Sequence, residues 1–155
     1  MRLPKKEYFM SMAHVAAMRS TCLRRNVGCV LVDRHDHVIA TGYNGSAKGI
    51  VNCVDSFCAR DENDSGESLE LCEAIHAEMN ALLQCRDTQA IVSAYITDSP
   101  CIHCVKLLMN TSCETIYYTR PYSELFEDIK YRWENSSRMH SRRMIHVPNI
   151  EVKYA

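Results

Sequence analysis

The chain has 155 residues and a formal charge of −1; 46% of residues are hydrophobic and 24% charged. That length suits one domain with a proper core, and the balanced charge excludes a general field drawing it to nucleic acid or to an anionic membrane. Nine cysteines are many for this size. The opening "MRLPKKEYFMSMAHVAAMRS" is broken by Ser11 and His14 and lacks a signal-peptide core, and no apolar run approaches a membrane span. We therefore expect reduced thiols, some of them metal ligands, in a cytoplasmic protein (host cytoplasm if viral).

A first amphipathic helix enters at Pro4. "VGCVLVD" and "HVIATGYNG" read as strands around a turn at Arg34 to Asp36. Residues 50 to 71 look irregular and acidic. "CEAIHAEMNALLQC", Cys72 to Cys85, carries apolar residues at helical spacing. "AIVSAYITD" has the β-branched and aromatic content of a strand. "SPCIHCVKLLMNTSC" follows as a helix, with Ser99 as N-cap and Pro100 as its first residue. "ETIYY" is another strand, Ser123 to about Ser141 a last helix, and "IEVKY" a terminal strand. Helix and strand alternate after the hairpin, which predicts crossovers and a sheet covered on both faces: one α/β domain, residues 1–155, of three αβα layers.

Cys101 and Cys104 form a C-x-x-C pair at the start of a helix. Alone it reads as a metal site, as two core thiols or, more weakly because the unit is not at the N-terminal end of the domain, as a redox pair. His76 changes the balance, because it starts the preceding helix, and crossover geometry brings both helix starts to one edge of the sheet. One imidazole and two thiolates make a three-ligand zinc site with an open fourth position, the arrangement of a catalytic rather than a structural zinc. Glu78 diverges from His76 by roughly 200° on a helix and does not share its face. It is instead suited to hang over the open position, take a proton from the attacking water and pass it to a substrate nitrogen. Position 80 is Asn80, which excludes the H-E-x-x-H protease pattern.

The ordered pair H-x-E and P-C-x-x-C is the signature of zinc nucleobase deaminases. With "TCLRRNVGCVLVD", "TGYNGSAKG", "IHAEMNAL" and "YITDSPCIHCVKLLMN", the chain resembles the cytidine deaminase-like superfamily, and within it the phage and bacterial deoxycytidylate (dCMP) deaminases. The resemblance implies a mixed five-stranded sheet. It implies conversion of dCMP to dUMP and ammonia, supplying the precursor of dTMP. Glu78 would shuttle protons and Asn44 would bond the sugar, although "YNG" is also simply a good turn. Tyr122, after a strand at the edge where ligands bind, reads as a phosphate contact or as an ordinary loop tyrosine. The resemblance further implies a homohexamer activated by dCTP and inhibited by dTTP with Mg2+, the nucleotide bound near Arg24, Arg25, Asn44 and Lys48. Where the family commonly has proline in that loop, this chain has Ala47. The alternative is a deaminase acting on tRNA or single-stranded DNA, which normally needs a basic, aromatic-lined strip.

The stretch 50–72 is long for an unstructured connection and calls for a staple. Cys53, Cys58 and Cys72 frame it, and Cys22 precedes the first strand. Four such thiolates would close a second, structural Zn2+ site, and the phage and competence-type relatives resemble this in carrying extra ligands in the same insertion. The alternative is four reduced, partly buried thiols.

Overall fold

The computed structural model describes residues 2–137 and 141–149. Helix α1 (Lys5–Ala17) is capped by Pro4 at φ −58°. Strands β1 (Gly28–Val32) and β2 (Val38–Tyr43) form an antiparallel hairpin. Its turn is closed by the Asp33 carboxylate, which accepts from the amides of His35 and His37 at 2.8 and 2.9 Å. Asp36 sits there at φ 61°, in the left-handed region that aspartate tolerates. The chain continues through β3 (Gly45–Ser46), β4 (Ala74–Ile75), α2 (Ala77–Gln84), β5 (Ser93–Asp98), α3 (Ile102–Met109), β6 (Thr115–Arg120), α4 (Phe126–Glu134) and β7 (Arg143–His146).

The main sheet has the order β2-β1-β5-β6-β7. β1 runs antiparallel to both neighbours, while β5, β6 and β7 are parallel. This is the mixed five-stranded, three-layer architecture that the sequence predicts. On one face, Phe9, Met10 and Ala13 of α1 pack on Val30, Val32 and Tyr95. On the other, Ala77, Ala81, Val105, Leu108, Ile129 and Trp133 from α2, α3 and α4 cover Leu31, Ile96 and Ile116. Covered on both sides, β1 is buried at every position and reads as an unbroken apolar run. Among the described residues, no helix is long and apolar enough to cross a membrane.

Several boundaries differ from expectation. The helix predicted from Cys72 begins at Ala77, because Ala74 and Ile75 pair with Ser46 and Gly45. α3 is capped by Cys101 rather than Ser99, whose hydroxyl instead accepts the Tyr122 amide at 2.6 Å. The last helix ends at Glu134, well short of Ser141. The fifth strand is Arg143–His146; the predicted strand "IEVKY" lies outside the described residues. The stretch 50–71 holds two short 3-10 turns and an arginine staple. Buried Arg60 donates to the carbonyls of Glu67 (2.7 Å) and Asp64 (3.4 Å). Arg24 in turn donates to the carbonyls of Arg60 (2.7 Å) and Asn63 (3.0 Å).

One close approach fixes α2 against the sheet. A Cβ on Gly42 would lie 2.3 Å from the Ala77 carbonyl oxygen and 2.5 Å from the Ala81 nitrogen. Only glycine lets the helix backbone descend this far onto β2.

Candidate active site

β2 and β5 are both antiparallel to β1 and so parallel to each other. The helices that follow them therefore begin at the same edge of the sheet. His76 is the N-cap residue of α2 and Cys101 that of α3. The His76 Nδ1 lies 3.5 Å from the Cys101 Sγ and 3.4 Å from the Cys104 Sγ. All three donor atoms fall within 4.8 Å of one another, and among the described residues this is the one such group. A tetrahedral zinc with its usual Zn–S and Zn–N lengths sets N and S donors about 3.6 Å apart, so the triangle fits that ion.

Glu78 occupies the first turn of α2 and is only 4% exposed. Burial pushes its carboxyl up from the ordinary range, and it lies within hydrogen-bonding reach of the Cys104 thiol. The Cys101 thiol is held down to about 4, first by its hydrogen bond with Cys104 and then by that with His76. The Cys104 thiol is pushed up by the same bond to Cys101 and by burial. The Cys101 contact raises His76. The site thus already favours one thiolate, and a metal entering it would release protons from the remaining donors.

Asn80 ties this helix to the neighbouring loop, its amide donating to the Tyr43 carbonyl at 2.8 Å. The next residue, Asn44, is buried; its Oδ1 accepts from the Val27 amide (2.9 Å) and its Nδ2 donates to the Arg25 carbonyl (2.8 Å). Asn80 played no part in the sequence reading beyond excluding a protease. Its signal was available: a mid-helix asparagine has poor helix propensity and needs a partner elsewhere.

The guanidinium carbon of Arg25 lies over the Tyr122 ring, 3.5 Å from its centroid. Its Nε is 3.5 Å from the Asp98 Oδ2, and the Asp98 Oδ1 accepts from the Arg120 Nε at 2.6 Å. Asp98, at the end of β5 and 4% exposed, is a hub that the sequence reading missed. Arg24 points away into the insertion, as above, and Lys48 is exposed. Cys22, Cys53, Cys58 and Cys72 do not close to ligand spacing. Burial chiefly pushes the Cys53 thiol up, and Cys22, Cys58 and Cys72, within electrostatic reach, add to it.

A three-layer α/β fold with an imidazole, two thiols and a buried carboxyl at two adjoining helix starts is the architecture of the zinc-binding deaminases. A family model described as the cytidine and deoxycytidylate deaminase zinc-binding region matches residues 3–120. The chain belongs to that family. It is 40% identical over 135 residues to ComE operon protein 2 of Bacillus subtilis, covering 81% of this chain and 68% of that protein. It is 44% identical to the deoxycytidylate deaminase of Schizosaccharomyces pombe over 72% of this chain, and spans 36% of that longer enzyme. The deoxycytidylate deaminase of Mycobacterium phage D29 is 37% identical, with 74% of this chain and 93% of that one covered. In fold, the chain is similar to a crystal structure of dCMP deaminase from the cyanophage S-TIM5 in complex with dCMP and dUMP, with a TM-score of 0.71 at 22% identity, over 95% and 99% of the two chains.

Proposed function

We propose that this protein is a zinc-dependent hydrolytic deaminase converting dCMP and water to dUMP and ammonia, as a single domain. The observation that carries the reading is the three-donor triangle with a buried, protonatable carboxyl beside it. His76, Cys101 and Cys104 would hold the zinc. When bound there, the ion supplies Lewis acidity and makes water a competent nucleophile near neutral pH. Glu78 does the proton work: it accepts a proton from the attacking water and delivers it to the pyrimidine ring nitrogen, then carries the remaining hydroxyl proton to the amine, which departs as ammonia. Its raised carboxyl suits a group that must be protonated and deprotonated in one cycle. Asn44 retains one amide hydrogen for the sugar after its two backbone bonds, and Tyr122, held by Arg25, faces the phosphate end of the substrate.

Regulation by dCTP and dTTP with Mg2+, assembly as a hexamer, a cytoplasmic location and a role in dTMP supply complete the reading. The regulatory part is supported by unpartnered buried polar atoms flanking the "GYNG" loop: Thr21 Oγ1 and Arg25 Nη1, among the described residues. A second, structural zinc on Cys22, Cys53, Cys58 and Cys72 is supported by the gathering of those thiols around Cys53.

The test is a deamination panel of dCMP, CMP, deoxycytidine, dCTP, guanine and a cytosine-containing single strand. Products are read by mass, with and without dCTP and magnesium. Turnover of dCMP, raised by dCTP, is expected. Turnover of the oligonucleotide or guanine alone would overturn the substrate and leave a deaminase of another specificity.

A further inference from the structure

We propose that the cavity between the C-terminal end of α1 and the end of β6 is a second ligand site, for a small molecule bearing a phosphate group. It communicates with the mouth of the catalytic site through Asp98. The cavity has a volume of about 280 Å³ and is lined by His14, Met18, Asn26, Thr119, Arg120 and Asn149, among others. It opens on the α1 side of the sheet, whereas His76, Glu78, Cys101 and Cys104 belong to the helices of the opposite side.

The lining selects for an anion. It contains a guanidinium and no carboxylate. Arg120 spends its Nε on Asp98 at 2.6 Å, and its Nη2 reaches the Asn26 carbonyl only at 3.5 Å. That leaves most of its fork available for bidentate recognition of a phosphate. Asn26 and Asn149 also line the cavity, each an exposed residue carrying a carboxamide that can donate. The His14 Nε2 is engaged with the Thr119 hydroxyl at 3.2 Å, which leaves its other ring nitrogen unspent. Ala17 and Met18 provide an apolar wall for an organic body. The volume sits at the small end of the range of ligand pockets, roughly 300 Å³ and upwards, and so suits a monoester better than a triphosphate.

The coupling follows from how Asp98 divides its two oxygens. One is tightly bound to Arg120, the other more loosely paired with Arg25 at 3.5 Å. An anion on the free Nη groups of Arg120 draws that guanidinium away from Asp98. The carboxylate then turns more of its charge on Arg25, the residue lying over Tyr122. Occupancy behind the sheet thereby changes the electrostatics at the substrate's phosphate end without touching the metal ligands.

The experiment uses full-length protein with 13C-labelled methionine methyls, which stay observable in a large assembly. Met18 reports on the cavity and Met79, beside Glu78, on the catalytic site. Inorganic phosphate, thymidine 5′-monophosphate and thymidine are titrated separately. The first two are expected to move Met18 at millimolar concentrations and thymidine is not. A tighter response to the nucleotide assigns the site to a monoester, an equal one to free phosphate. Arg120→Gln should weaken the Met18 response at least tenfold and Asn26→Ala about threefold. Movement of Met79 alone, no movement of Met18, or a response unchanged in Arg120→Gln would each overturn the site. The coupling arm rests on the deaminase reading: saturating phosphate should change KM for dCMP two- to fivefold in the wild type, with kcat constant. The phosphate concentration that gives half of this change should rise about threefold in Asn26→Ala, and an unshifted midpoint there overturns the coupling. The methyl titration needs no turnover, so it stands even if dCMP proves not to be the substrate.

Discussion

Replacing Gly42 with alanine adds one methyl group where the protein has no room for it. The new carbon would lie 2.3 Å from the Ala77 carbonyl oxygen, 2.5 Å from the Ala81 nitrogen and 3.0 Å from the Ala81 Cα. All three neighbours are helix backbone, so no side-chain rotation relieves the clash, and α2 must retreat by about 1 Å to restore ordinary contact. Overpacking of this kind costs roughly 1–3 kcal/mol. For a domain of this size that is a fall in Tm of about 2–4 °C per kcal/mol. The cost to catalysis should be larger. His76 caps α2 and Glu78 lies in its first turn, so both move with the helix while Cys101 and Cys104 stay on α3. A misplacement of this order lowers rates by about 100-fold. The assay is kcat for dCMP at a temperature where circular dichroism shows the variant fully folded, beside its thermal melt. A variant with kcat within threefold of wild type would refute the argument that Gly42 sets the position of the catalytic helix.

Glu78→Gln should keep the fold and bound zinc while turnover falls by about 100- to 10,000-fold; a near-normal rate would remove the proton shuttle. Cys53→Ser should lower both the melting temperature and the zinc-to-chain ratio, from two towards one by elemental analysis, and an unchanged ratio would discard the second metal. Buried Arg142 donates to the carbonyls of Cys113, Met109 and Thr111 and to the Ser136 hydroxyl, and stacks on Trp133 at 4.7 Å. Lysine cannot reproduce that fork, so Arg142→Lys should cost about 2–3 kcal/mol in denaturant titrations. A loss below about 0.5 kcal/mol would mean that the carbonyls at the end of α3 are satisfied without it.

The four residues of the candidate centre were legible because each sits at a fixed offset from a helix start, and local spacing survives folding unchanged. The helix starts themselves were misjudged. Nothing in "CEAIHAE" announces that Ala74 and Ile75 are claimed by Gly45 and Ser46, a pairing between segments remote in the chain. The strand Arg143–His146 was missed for a related reason. It has only four residues, two of them exposed, and adds to β6 in parallel through long-range hydrogen bonds rather than through a pattern of its own. Asp98 was hidden in another way. Its sequence neighbours are a strand and a turn, and its meaning comes from Arg25 and Arg120, which meet it only in three dimensions.

The small β3–β4 pair has a consequence for how this chain tolerates change in length. It zips together the two ends of the excursion from Ala47 to Glu73, so that segment leaves and rejoins the domain through a closed gate. Closing a loop depends only weakly on its length, about 0.6 kcal/mol for each doubling. Insertions or deletions beyond the gate are therefore absorbed outside it, while His76, one residue after the gate closes, keeps its place. The excursion is the natural point at which to graft a reporter or an affinity handle into this enzyme.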